Sequence, residues 1–153
     1  MYNEMFARAP ELVPLLFEPV CVDRRGEVPV GAKPWYSVPI CNWLGEKLTA
    51  YYIRRYIESA QRFNEVPRLT DEQIACFDLL DEIADNPDIH LSMAFEPGDM
   101  QFLHNHQIFH DRTAYVDWDE PERRRHLLRL WLCPPKGREL PPAYSQRLSL
   151  IHI

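Results

Sequence analysis

Three histidines and two arginines are the residues whose types and spacing could do chemistry in this chain. His104, His106 and His110 lie within seven positions, and Arg125 and Arg129 follow them, four residues apart. A histidine near a strand is more often structural than functional, so the histidines alone indicate little. Two arginines on an inward face are different, because burying a guanidinium costs free energy unless an anion meets it. The arginine pair therefore indicates an anion-binding site.

The arginines lie on the clearest predicted strand, residues 125–132. With a period of two, one face carries Arg125, Leu127, Arg129 and Trp131, and the other face carries His126, Leu128, Leu130 and Leu132. The leucine-rich face should pack against a helix, and the arginine face should point into a cavity.

That covering helix should begin after Thr70. Thr70 and Gln73 have the spacing of a capping box, in which each side chain satisfies a free backbone N–H. An apolar stripe then recurs every three residues, at Ile74, Phe77, Leu80 and Ile83. Asn86–Pro87 should end the helix, since proline cannot donate the next hydrogen bond.

The other elements are short. Residues 10–17 predict a brief helix, and residues 51–63 are an ambiguous stretch, expected to begin as a strand and finish as a helix. Residues 90–95 and 99–103 predict two strands that flank a turn at residues 96–98. The prolines lie mostly between elements, which favours short strands and loops over a helical bundle.

Residues 95–132 resemble the C-terminal signature of the taurine dioxygenase-like (TauD/TfdA) family. That signature runs from a Gly-Asp turn to an Asn, a His-x-Arg tripeptide and a strand with two arginines four residues apart. The matching residues here are Gly98-Asp99, Asn105, His110-Asp111-Arg112, and Arg125 with Arg129. The upstream segments YNEMFARAPEL and QRFNEVPRLTDEQ resemble a long-form branch of the family, so the resemblance covers residues 1–147.

The resemblance implies a mainly β fold with flanking helices, specifically part of a double-stranded β-helix, the cupin-like jelly roll. It implies a dioxygenase that hydroxylates a small molecule with Fe(II), 2-oxoglutarate and O2. His110 matches the distal histidine of the iron triad, and Arg125 matches the arginine that binds the far carboxylate of 2-oxoglutarate. Arg129 and Asn105 match positions assigned to substrate binding and to support of the site. Asp111 stands where the family usually has a glycine, and this difference bears on the local turn and not on the match at His110.

The resemblance also implies two iron ligands in a His-x-Asp or His-x-Glu motif, and none of the six histidines begins one. We therefore expect residues 1–147 to be the C-terminal part of an oxygenase domain, inactive as given. The final residues, LSLIHI, match the translation of a transposon-end adapter used in sequencing libraries. Residues 148–153 are accordingly expected to be a sequencing artefact.

The composition limits the kinds of molecule that this chain is expected to bind. A net charge of −6 weakens any case for nucleic-acid binding, and no apolar run is long enough to span a membrane. The four cysteines form no CxxC pair and are expected to be buried free thiols in a cytoplasmic protein. The expected partner is a small, anionic molecule. Whether the chain forms a homo-oligomer is left open by the sequence.

Two other classes of function remain. One is a non-catalytic, cupin-like module that binds a carboxylate without metal. The other is a structural or interaction protein, which would pair Arg125 and Arg129 with acidic side chains.

Overall fold

The computed structural model describes residues 1–132 and 134–144, and its regular elements lie mainly in the first 85 residues. The α-helices are α1 (Tyr2–Arg8), α2 (Arg54–Ala60) and α3 (Asp71–Asp85). The strands are β1 (Pro19–Asp23), β2 (Trp35–Pro39), β3 (Cys41–Leu44) and β4 (Lys47–Ala50). Short 3-10 helices cover Val13–Phe17, Pro121–Arg123 and Pro142–Tyr144.

The strands form two antiparallel hairpins. In the first, β1 pairs with β2, and Cys21 lies opposite Ser37. In the second, β3 pairs with β4 around a two-residue turn that places Leu44 opposite Lys47. Gly45 opens this turn with a φ of 58°, a conformation that glycine adopts without steric cost. The hairpins belong to separate two-stranded sheets, and the described residues form no closed barrel.

The core lies between these hairpins and the helices, and the end of the described chain closes it. Its apolar side chains include Met5, Leu16, Val22, Val38, Ile40, Ile57, Phe77 and Ile83. Tyr144 is completely buried. Its hydroxyl lies 3.2 Å from the carbonyl oxygen of Pro39 and 3.3 Å from those of Ile40 and Thr49. The last described segment is therefore fastened to both hairpins.

Helix α3 confirms the prediction from the capping box. The Thr70 side chain accepts a hydrogen bond from the backbone N–H of Gln73, and the Gln73 side chain accepts one from the N–H of Thr70. The later members of the apolar stripe are buried, whereas Ile74 is 38% exposed. The buried stripe thus begins one turn later than predicted.

Two further predictions for the short elements are confirmed, and a third is confirmed in part. The short helix exists as the 3-10 helix Val13–Phe17. Residues 51–63 contain the helix α2, as expected, but they do not begin as a strand, because β4 ends at Ala50. The turn at residues 96–98 forms, because the N–H of Asp99 donates to the carbonyl of Glu96 and Gly98 adopts a φ of 100°.

The predicted strands at residues 90–95, 99–103 and 125–132 are wrong for this structure, since none of these residues lies in a strand. Leu128, Leu130 and Leu132 are 83%, 82% and 70% exposed, so α3 does not cover them. Helix α3 packs instead against α1 and the 3-10 helix Val13–Phe17. A strand needs a neighbour to complete its hydrogen-bond ladder, and residues 125–132 pair with no strand of the described chain.

Three of the four cysteines can be placed. Cys41 and Cys76 are buried free thiols, as predicted, whereas Cys21 is a free thiol that is only half-buried. Burial raises the pKa of the Cys41 thiol to about 12 and that of Cys76 to about 11. Cys133 and the segment 148–153 lie outside the described residues. No helix of the described chain is long and apolar enough to cross a membrane.

Candidate functional site

The histidine-rich segment contains one stretch that is held against the body of the protein, residues 104–110. The backbone N–H of Ala50, at the end of β4, donates to the carbonyl of His106 over 2.9 Å. Within the stretch, the N–H groups of Gln107 and Ile108 both donate to the carbonyl of His104, at 2.9 and 3.2 Å. We call residues 104–110 the docked loop.

Aromatic contacts hold the docked loop at two positions, His106 and Phe109. The His106 ring meets the buried Tyr144 ring edge-on, with 6.0 Å between centroids. The Phe109 ring lies 6.0 Å from the ring of Tyr52, which in turn lies 6.1 Å from Phe77 in the core. Phe109 is therefore packed against the core immediately before the predicted iron ligand.

Tyr52 is itself fixed by α3. Its hydroxyl donates to the Asp81 carboxylate over 2.8 Å. Burial is the largest cause that raises the pKa of the Tyr52 phenol, and the hydrogen bond to Asp81 adds to it. Burial likewise raises the pKa of Asp81, although the Tyr52 hydrogen bond and the charge of Arg54 oppose that effect. The phenol therefore stays protonated and keeps its donor at neutral pH.

His110 lies at the exposed end of the docked loop. Its Nδ1 atom is 3.4 Å from the carbonyl oxygen of Ile108, a long contact within the same turn. Asn105 lies half-buried in the same loop. The structure thus places these two predicted site residues within one anchored turn.

Arg125 lies in an exposed segment that is organised around Tyr115. The Arg125 guanidinium stands 5.2 Å from the centre of the Tyr115 ring, and Arg112 stands 4.9 Å from it. The backbone N–H of Arg125 donates to the Asp117 carboxylate over 2.8 Å. Arg112, from the His-x-Arg tripeptide, and Arg125 therefore meet on one tyrosine ring.

Neither predicted arginine is neutralised in the described chain. Across residues 1–132 and 134–144, the ion pairs within 4.0 Å include none to Arg125 or Arg129. Both side chains are exposed. The acidic pairing that a purely structural role would require is thus not formed by these residues.

Two hollows lie on the described surface, and both are away from His110 and Arg125. A hollow of about 520 Å³ lies at the β1–β2 hairpin, where Arg24, Lys33 and Trp35 line it. Another, of about 400 Å³, is lined by β3, β4, Gln107 and Arg138. Neither of these two hollows is lined by His110 or Arg125.

The described side chains do not by themselves fit a three-ligand iron site. Within residues 1–132 and 134–144, no group of three His, Cys, Asp or Glu side chains comes together in a way that could hold a metal ion. Iron of this type requires two histidines and one carboxylate on one face. The iron site predicted at His110 would therefore need ligands beyond those that the described residues bring together.

Sequence reasoning missed the aromatic residues that hold the segment. Tyr52 contacts Phe109, and Tyr144 contacts His106. Tyr115 contacts Arg112 and Arg125. Tyr52 and Tyr144 lie far along the chain from their partners, so no local spacing reveals them. Tyr115 is three residues from Arg112, so their contact could have been expected from the local sequence.

Comparison with known proteins gives the same family as the motif. The family model described as taurine catabolism dioxygenase TauD, TfdA family matches residues 1–131. FR-33289 synthase from Streptomyces rubellomurinus is 37% identical over 150 residues, which cover 95% of this chain and 43% of the relative. The chain thus spans less than half the length of that relative. Because the family model covers most of the chain, including the docked loop and both arginines, this protein belongs to the TauD/TfdA family of dioxygenases.

Proposed function

We propose that this chain is part of an Fe(II)- and 2-oxoglutarate-dependent dioxygenase that hydroxylates a small molecule. The observation that carries the proposal is the extent of the family match. It reaches residue 131 and so includes His110-Asp111-Arg112 together with Arg125 and Arg129. In such an enzyme the bound metal, with 2-oxoglutarate and O2, supplies the oxidising chemistry, and the protein supplies binding and geometry.

Arg125 is the proposed binding residue for 2-oxoglutarate. Its guanidinium carbon lies over the Tyr115 ring, 5.2 Å from the ring centre, and Arg125 forms no ion pair within the described residues. The planar fork of a guanidinium matches the two oxygens of a carboxylate, which is the group that Arg125 is proposed to bind. Arg129 is the proposed contact for an anionic substrate, and Asn105 supports the substrate side of the docked loop.

His110 is the proposed iron ligand of this chain, and the remaining ligands are proposed to come from sequence outside these 153 residues. The proposed parent fold is a jelly roll in which residues 125–132 gain strand partners. Pairing would orient Arg125 and Arg129 to one face and the leucines to the other. The relative is named as a synthase of FR-33289, so the proposed class of substrate, an anionic small molecule, rests on Arg129 alone.

Activity tests this proposal directly. The 153-residue chain should produce no succinate from 2-oxoglutarate with Fe(II) and O2, because it supplies one of three ligands. A longer protein that contains this chain together with a His-x-Asp or His-x-Glu segment should produce succinate from 2-oxoglutarate. In that protein, His110→Ala should abolish Fe(II) binding measured by calorimetry, whereas His90→Ala should leave it unchanged. Turnover of 2-oxoglutarate by the 153-residue chain would show that the assignment of His110 as its one iron ligand is wrong.

The arginine has its own test in the longer protein. Arg125→Gln should raise the KM for 2-oxoglutarate by about 100-fold, since a charge-assisted bidentate contact is lost. Arg123→Gln, two residues away and also exposed, is the matched control and should change KM little. Equal effects from both variants would contradict a specific role for Arg125.

A non-catalytic carboxylate-binding module is the second candidate, and it would be favoured if the longer protein lacks a His-x-Asp or His-x-Glu motif, as these 153 residues do. It predicts that 2-oxoglutarate binds without metal and that Arg125→Gln removes this binding. Iron binding that depends on His110 would exclude it.

A further inference from the structure

The docked loop is the one anchored stretch within a long exposed segment. Residues 91–102 and residues 111–132 are all exposed, whereas residues 103, 105, 106 and 109 are half-buried. Phe109 is packed against the core cluster. Whatever fixes the position of His110 in this structure must therefore act through the loop itself.

We propose that Tyr52 is a positioning residue for His110, acting through Phe109. The inference rests on the proposed function, in which His110 is a ligand. The Tyr52 ring provides the surface on which Phe109 packs, at 6.0 Å between centroids. Phe109 and His110 are adjacent, so their Cα atoms are held about 3.8 Å apart. Fixing the Phe109 ring thus limits where the imidazole can reach.

The Tyr52 ring suits this role because it is held on two sides. Its hydroxyl donates to Asp81 at 2.8 Å and approaches the carbonyl of Phe77 at 3.4 Å. Its ring packs against that of Phe77, which is completely buried on α3. Residue 109 therefore contacts a surface that is continuous with the core. A ligand must be placed to within about 0.5 Å by its supports, which makes such a surface functionally relevant.

One backbone hydrogen bond reports whether the loop is docked. The Ala50 N–H donates to His106, whereas the next amide, that of Tyr51, donates to Ile40 within the hairpin region. Undocking the loop should expose the first amide and leave the second protected. The two neighbouring amides therefore separate local undocking from general loss of structure.

The experiment is hydrogen exchange by NMR on the 153-residue chain and its variants. Tyr52→Leu removes the ring, and Tyr52→Phe keeps it but removes the bond to Asp81. Tyr52→Leu should accelerate exchange at Ala50 by at least about tenfold relative to Tyr51 and to Leu80 in α3. Tyr52→Phe should remain within about threefold of the parent, because the ring contact is retained.

A signal from His110 completes the test. With ¹³C-labelled histidine, the His110 ring should show increased fast motion in Tyr52→Leu and near-parent behaviour in Tyr52→Phe. Tyr56→Leu, which alters a half-buried tyrosine on α2, is the control and should change neither signal. If Tyr52→Leu leaves the Ala50 exchange ratio and the His110 motion unchanged, the positioning role is wrong. If Tyr52→Phe matches Tyr52→Leu, the ring contact is not what holds the loop.

These readouts use neither iron nor 2-oxoglutarate. A failure of the oxygenase proposal would appear in turnover and metal binding, and a failure of the positioning role would appear in exchange and ring motion.

Discussion

At the scale of single residues, Asp23 shows how a buried charge is accommodated at the end of β1. Its carboxylate has no exposed surface and pairs with Arg62 at 3.2 Å. It also accepts hydrogen bonds from the Ser59 hydroxyl and from the backbone N–H of Arg25. The last bond closes a tight turn in which Arg25 has a φ of 56°. Asp23 thus joins hairpin β1–β2 to α2.

The pKa of Asp23 gives a prediction for stability against pH. Burial raises this pKa, but the bonds from Ser59 and Arg25 and the charge of Arg62 outweigh burial and lower it. A lowered pKa in the folded state stabilises the fold above the unfolded pKa, about 3.9 for aspartate. That stabilisation is lost as the pH falls through the folded pKa.

Asp23→Asn should therefore reduce the free energy of unfolding by about 2 kcal/mol at pH 7, measured by urea denaturation. The difference from the parent should begin to shrink as the pH falls below about 3.9, where the carboxylate of the unfolded chain takes up a proton, and it should shrink further as the pH falls through the lower pKa of the folded carboxylate. Asp119→Asn, on an exposed segment, should have little effect at either pH. A difference that does not change with pH would show that the charge of Asp23 is unimportant.

Residue types in the candidate site were predictable, whereas their surroundings were not. The resemblance to the TauD/TfdA signature singled out His110, Arg125, Arg129 and Asn105 as candidates, and their roles stay predictions. The contact of Phe109 with Tyr52 joins positions 57 apart in sequence and leaves no periodic trace. Sequence therefore predicted candidate groups and could not predict what holds them.

At the scale of elements, local signals were reliable and pairing was not. Helix α3 begins at a capping box and ends at Asn86, both readable from a few adjacent residues. Hairpin β3–β4 was missed, although Gly45 marks its turn. Residues 125–132 alternate as a strand would, yet a strand also needs a partner, which local alternation cannot supply.

The cap of α3 can be tested on its own. Thr70→Ala should reduce the free energy of unfolding by about 1 kcal/mol, because the N–H of Gln73 loses its acceptor. Thr113→Ala, an exposed threonine outside any helix or strand, is the matched control and should change stability by less than about 0.5 kcal/mol. Equal effects would mean that the loss at Thr70 does not come from capping.

At the scale of the whole molecule, apolar surface is concentrated in the late segment. The side chains of Leu127, Leu128, Leu130, Trp131 and Leu132 are all exposed within six positions. Contiguous exposed apolar groups favour association, because burying each one is worth about 1.5–3 kcal/mol. We call these five side chains the apolar ribbon.

The apolar ribbon predicts self-association of the 153-residue chain at micromolar concentrations, measured by sedimentation velocity. Leu128→Lys combined with Leu130→Lys should shift the chain towards monomer, because charge opposes burial of that surface. Val28→Lys combined with Val30→Lys adds the same charge on an exposed turn and should leave association unchanged. A parent chain that is monomeric under these conditions would contradict the prediction.

The buried Tyr144 also bears on the order in which a ribosome could complete this fold. Its hydroxyl reaches carbonyl groups 95 to 105 positions earlier in the chain. Contacts of such sequence separation form late, since the intervening chain must first be made and closed. Both hairpins therefore emerge during translation with the place of Tyr144 still vacant. That part of the core can therefore become fully packed only after the described residues have been synthesised up to Tyr144.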